Sequence, residues 1–172
     1  MVDPSKHAER RGWIESALRH ITGFQGYLEK EYRRESDALL RAHLADRLQA
    51  AKRGVTQFQR DLLDAGRLDD LAAVERVVTG IDALANRLRG SVRGYSGFFD
   101  FVQINEAELD RVYEQDLQLL GAIDTFVEHT QNLPTSAGSA RSIASQLQSE
   151  LDGLGEKYGH RDKILSGLEP NP

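Results

Sequence analysis

Cysteine is missing from this chain of 172 residues. That excludes disulfides, thiolate nucleophiles and thiolate metal sites together, and it suits a reducing compartment. Proline is scarce: three of the 4 stand at positions 4, 170 and 172, and Pro134 is the sole interior one. With so few breaks, helices can run long. No apolar run approaches the roughly 20 residues of a membrane-spanning helix. The opening MVDPSKHAERRGW has no apolar stretch of the secretory kind, so a cytoplasmic protein is expected. No alternation of apolar and polar residues marks a strand.

What the chain does have is charge, at 28%, and apolar residues, at 40%. This balance argues against wholesale disorder, and the length suits one domain with a real core. Residues 1–60 carry 12 Lys+Arg against 8 Asp+Glu, and residues 61–172 carry 10 against 19. The split allows two readings: a first part steered toward an anionic partner, or two parts of one bundle complementing each other. The acidic excess and the lack of a basic, aromatic face oppose nucleic-acid binding.

Helical periodicity dominates. Asp3 and Pro4 suit the start of a helix over about 4–21, with Trp13, Ile14, Ala17, Leu18 and Ile21 on one stripe. A second, over about 27–65, has a stripe from Leu28 and Tyr32 through Leu40, His43, Leu44, Leu48, Ala51, Val55, Phe58 and Leu62, and ends at Gly66. A third, about 69–92, holds Leu71, Val74, Val78, Ile81, Ala85, Leu88 and Val92 in heptad steps, and Gly80 within it suggests close packing. A fourth, about 105–132, opens on Asn105 and Glu108 as a capping box. Its seam is Leu109, Val112, Asp116, Leu119, Ile123, Phe126 and Thr130. A fifth, about 139–165, carries Ile143, Leu147, Leu151, Leu154, Tyr158 and Leu165, while Gly153, Gly155 and Gly159 predict a frayed end. These elements predict an all-α fold: an elongated antiparallel bundle or spectrin-like coiled-coil hairpins of about five helices, as a single domain over 1–167. Residues 1–26 form its amphipathic helix and corner, and 168–172 a disordered tail.

Catalytic chemistry finds little footing. A di-iron carboxylate bundle needs Glu three residues before a ligating His. Before His7, His20, His43, His129 and His160 stand Pro4, Ala17, Leu40, Phe126 and Lys157. No two histidines are four apart, as a helical zinc motif requires. No Gly-x-Ser-x-Gly elbow occurs. No metal, no cofactor and no enzymatic activity are expected. Gly23 and Gly26 precede a helix start, but no Lys-Ser/Thr follows, and Glu29 and Glu31 repel a phosphate there.

The segments GFQGY at 23–27 and RGYSGFFDF at 93–101 share a Gly-aromatic spacing. Each reads as a helix corner plugged by a ring. The second holds Tyr95, Phe98, Phe99 and Phe101, four of the chain's 11 Phe and Tyr. It is a candidate partner surface, with burial beneath the first helix as the alternative. Trp13, Ile14, Leu18 and Ile21, flanked by arginines, form a stripe that either lies in a membrane interface or docks on the bundle. Asp116, alone in an apolar seam, is expected to fix register or meet an Arg of the second helix. His43, on an apolar stripe, is expected to be a core or interface histidine.

The run ITGFQGYLEKEYRRESDALLRAHLA, with RGYSGFFDF and ELDRVYEQDLQLL downstream, resembles an uncharacterised family of bacterial all-helical proteins. The resemblance rests on Lys30, Glu31, Arg33, Arg34, Glu35 and Asp37, on Tyr95, Gly97, Phe98, Phe99 and Asp100, and on Tyr113 and Asp116. It spans roughly 21–130. The family looks like accessory components of membrane scaffolds of the SPFH (stomatin/prohibitin-like) kind. The resemblance implies an adaptor near the inner membrane face, with a protein partner of that kind and no catalytic residue. Self-association into a homo-oligomer is the other partner expectation, and a peripheral membrane-surface protein is the alternative function.

Overall fold

A computed structural model describes residues 18–26, 33–90, 106–133 and 139–165. Among them are four helices: α1 Arg33–Asp64, α2 Leu68–Gly90, α3 Glu106–Gln131 and α4 Ala140–Leu165. The described residues contain no strand. Of the five expected helices, the last four are present, with ends within one or two residues of expectation wherever those ends are described. Most of the expected first helix, residues 27–32, Asn105 and 168–172 lie outside the described residues. So does the Glu108 side chain of the expected capping box.

The helices form where apolar residues recur in steps of three and four. Along α3, Leu109, Val112, Asp116, Leu119, Ile123, Phe126 and Thr130 are all buried. In α2, Val74, Val78, Ile81, Ala85 and Leu88 are buried, as are Leu147, Leu151, Leu154, Tyr158 and Leu165 in α4. α1, at 32 residues, runs about 48 Å at 1.5 Å per residue. It stops at Gly66, which has φ +70°. The Arg67 amide donates to the Leu62 carbonyl at 2.9 Å and the Gly66 amide to the Leu63 carbonyl at 3.0 Å. This is a Schellman cap, whose left-handed position favours glycine. α2 then starts with Asp69 and Asp70 in its first turn and ends with Arg87 and Arg89 in its last, both favourable to the helix dipole.

α1 packs against α2 and α3, and α4 packs against the same two. α1/α2 and α3/α4 are antiparallel hairpins. The hairpins lie side by side with like helices parallel. Arg47 meets Asp124 and Gly54 meets Thr130, so α1 and α3 ascend together. Asp70 meets Arg141 and Gly80 meets Gln148 and Leu151, so α2 and α4 descend together. The antiparallel neighbours expected of short loops are found within each hairpin, whereas neighbours across the two hairpins are parallel. Short turns dictate direction only within each hairpin. The longer segment from Gly90 to Glu106 leaves the direction between hairpins to packing.

Polar side-chain pairs pin the register of neighbouring helices at the surface. Lys52 reaches Asp82 at 2.7 Å, Arg89 reaches Asp46 at 2.7 Å, and His129 lies 3.0 Å from Glu150. Each exposed pair is worth at most about 1 kcal/mol, so they select register more than they stabilise.

Two glycines mark close approaches. A Cβ on Gly80 would lie 3.2 Å from Leu151 Cδ1. At Gly54 it would overlap the Thr130 backbone carbonyl, and a backbone cannot step aside as a side chain can. Gly54→Ala is therefore expected to lower stability by about 1–3 kcal/mol through overpacking. Gly121 has nothing within 4 Å of its would-be Cβ, so Gly121→Ala is expected to add up to about 1 kcal/mol of helix propensity. Urea denaturation of the two variants checks the opposite signs.

Candidate functional site

The most distinctive chemistry of the bundle is a buried ionic cluster at the end where α1 begins. Arg161 of α4 is fully buried, as is Asp116 of α3, and Asp37 and Arg41 of α1 are each 3% exposed. Arg161 Nε donates to Asp116 Oδ1 at 2.5 Å, and Arg161 Nη2 donates to Asp37 Oδ1 at 2.7 Å. The other Asp37 oxygen accepts from Arg41 Nε at 2.8 Å. Arg41 Nη1 in turn donates to the carbonyls of Leu88 at 3.1 Å and Arg89 at 3.4 Å, which lie in the last turn of α2. Two cations and two anions neutralise one another, and all four helices are tied.

Placement follows from helical spacing. Asp116 lies midway between Val112 and Leu119 in the α3 seam. Arg161 continues the run Leu147, Leu151, Leu154, Tyr158 in steps of four and three, with Leu165 four further on. Asp37 stands three before Leu40, at the head of the α1 stripe. Arg41 follows Asp37 by four, the spacing and order that suit an acid–base pair on one helix. Asp116 was expected to fix register or to meet an Arg of the second helix; it accepts from Arg161 of the last. Arg161 went unnamed in the sequence and Asp37 was named only for the resemblance, although opposite charges at seam positions of different helices were the available signal.

Arg161, Ile164 and Leu165 are buried in a continuous last turn, which corrects the expected fraying of α4. The glycines have a use there. Arg87 of α2 lies 5.2 Å from the Tyr158 ring centroid and donates to the Gly155 carbonyl at 3.4 Å. A Cβ on Gly159 would come within 3.3 Å of the same guanidinium. The missing side chains leave Arg87 room to lie on α4 and stack on the ring.

The corner at 23–26 closes over the same end. Gly23 and Gly26 have φ +87° and +88°, the left-handed region in which glycine carries no Cβ penalty. Phe24 is buried between them. The Gln25 amide donates to Ser36 Oγ at 3.2 Å, and Ser36 itself is buried beside Asp37. Leu18 and Ile21 are buried with Phe24 in the core. Trp13 and Ile14, the other two residues of that stripe, lie outside the described residues. So do Tyr95, Phe98, Phe99 and Phe101.

His43 sits half-buried at the edge of the α1 stripe rather than in the core. Burial, then the nearby Arg47, lowers its pKa from the ordinary 6.5, opposed by Asp124 and Asp46. Asp82 is held below its ordinary 3.8, chiefly by hydrogen bonds from Lys52 and Gln49. Among the described residues no group of three or more His, Asp or Glu is arranged to hold a metal ion, and no helix is long and apolar enough to cross a membrane. Compared with models of protein families, with curated proteins and with solved structures, the chain matches none.

Removing one member of the buried cluster strands the others. Arg161→Met is expected to cost about 3–5 kcal/mol, because Asp116 and Asp37 then share one buried cation. Combining it with Asp116→Leu leaves Asp37 and Arg41 as a neutral pair. The double variant is expected to be less destabilised than the sum of the single ones, as read from urea midpoints.

The lowered pKa of His43 means that the unfolded chain binds its proton first as pH falls. Its contribution is present above the unfolded value and is lost as pH drops from about 6.5 toward the folded value. Wild type is expected to lose more stability than His43→Gln between about pH 8 and about pH 5.5, measured as the difference between their urea midpoints.

Proposed function

We propose that this chain is a non-catalytic helical adaptor or scaffold that mediates protein–protein contacts in a bacterial cytoplasm, beside a membrane complex of the SPFH kind. The observation that carries this reading is the use made of the buried polar groups. In a catalytic bundle, buried charges converge on a cavity with capacity to spare for a substrate. Here Asp37, Arg41, Asp116 and Arg161 bond to one another and to the end of α2. They fasten helices. The result is a stiff body about 48 Å long, suited to holding partners at fixed separation. The resemblance to accessory components of membrane scaffolds supports the same reading and names the kind of partner.

The alternative, a peripheral membrane protein inserting the stripe of residues 1–21, competes with the burial of Leu18 and Ile21 in the bundle core. A side chain cannot serve both the core and a bilayer at once. The partner surface we favour is the aromatic cluster of Tyr95, Phe98, Phe99 and Phe101, since aromatic side chains supply much of the energy at protein interfaces.

The test is binding of the purified chain to a purified SPFH-type scaffold, with wild type and Phe98→Ala/Phe99→Ala compared by titration. Saturable binding that weakens at least about tenfold in the variant, with helicity unchanged, is expected. Equal binding by both removes the aromatic cluster from the interface. No binding by wild type, together with flotation on anionic liposomes, replaces the adaptor reading with the membrane one.

A further inference from the structure

We propose that the outer face of the α1/α2 hairpin, at its turn end, is a self-association surface that docks a second copy of this chain. Leu63 is 54% exposed and Leu68 is 61% exposed, and they are the large exposed hydrophobics among the described residues. They flank the Gly66 turn, where polar residues ordinarily stand. The patch continues inward. Leu63 on α1 and Leu71 and Ala72 on α2 line a groove of about 420 Å³ between the two helices. Leu68, Leu71, Ala72 and Glu75 follow helical spacing, so they share one face of α2.

The charges beside this groove identify its occupant. Arg60 lines the α1 side and Glu75 the α2 side. The two are level, because Gln59, next to Arg60, donates across the groove to Glu75 Oε2 at 2.7 Å. A two-fold axis running along the groove lays α1 of one copy over α2 of the other at the same height. Arg60 of each copy then faces Glu75 of the other, twice, and the leucines meet between them. An isologous contact requires this self-complementarity. A partner of one charge sign would satisfy only one side of the groove.

This inference is independent of the adaptor reading, which concerns the segment of Tyr95, Phe98, Phe99 and Phe101 and a different partner. Sedimentation velocity of the full chain, up to about 200 µM, tests it. Wild type is expected to show a reversible monomer–dimer equilibrium. Leu63→Glu/Leu68→Glu and Arg60→Glu are each expected to weaken it at least about tenfold, with helicity by circular dichroism unchanged, since all three positions are exposed. Arg60→Glu/Glu75→Arg is expected to restore it, because the reversed charges pair again across the axis. A wild type that stays monomeric throughout overturns the proposal, as does a dimer indifferent to the leucine variant. A double swap no stronger than Arg60→Glu alone overturns the two-fold arrangement on which the proposal rests.

Discussion

Everything at one end of this bundle depends on where Arg161 can put its guanidinium. It is fully buried and bonds to carboxylates of two other helices. A charge in that position is tolerable only if its partners are in place first. The partners come from α1 and α3, and Arg41 extends the chain of bonds to α2. The four helices therefore reach their final register together or leave a buried charge unmet. An apolar seam alone would slide by a heptad at modest cost, whereas this cluster fits one alignment.

That alignment explains several features away from the cluster. α1 and α3 run parallel and close, so close that Gly54 has no room for a Cβ beside Thr130. α2 and α4 run parallel too, with small residues letting them approach: Gly80 against Leu151, and Gly155 and Gly159 beneath Arg87. The exposed ion pairs Arg47–Asp124, Lys52–Asp82 and Arg89–Asp46 then fall in register. They add little energy each but agree with the buried cluster about which residues face each other. The corner at 23–26 closes on the same end through Phe24 and Ser36.

The two ends of the molecule differ in kind. The cluster end is a place where polar groups are consumed by the fold. The hairpin-turn end spends leucines on its surface, at Leu63 and Leu68, with charges of both signs beside them. The proposed adaptor role calls for both properties: a body rigid enough to hold a distance, and faces left over for partners.

Local chemistry in the sequence determined the helices. Heptad spacing named many of the buried residues of α2, α3 and α4, Ile81, Ile123 and Leu151 among them, and Gly66 named the end of α1, because periodicity and left-handed caps are properties of neighbouring residues. Gly23 and Gly26 were legible as a corner for the same reason. Asp116 was legible as an anomaly, a carboxylate in an apolar seam, but its partner was not. Arg161 is 45 residues away, on a helix whose position depends on how two hairpins pair. The parallel pairing of α1 with α3, the close approach at Gly54 and the use of α4's glycines beneath Arg87 were likewise settled only by tertiary structure. Each is a contact between segments distant in sequence, chosen by where buried charges can be neutralised and where backbones can touch, and no local pattern encodes that choice.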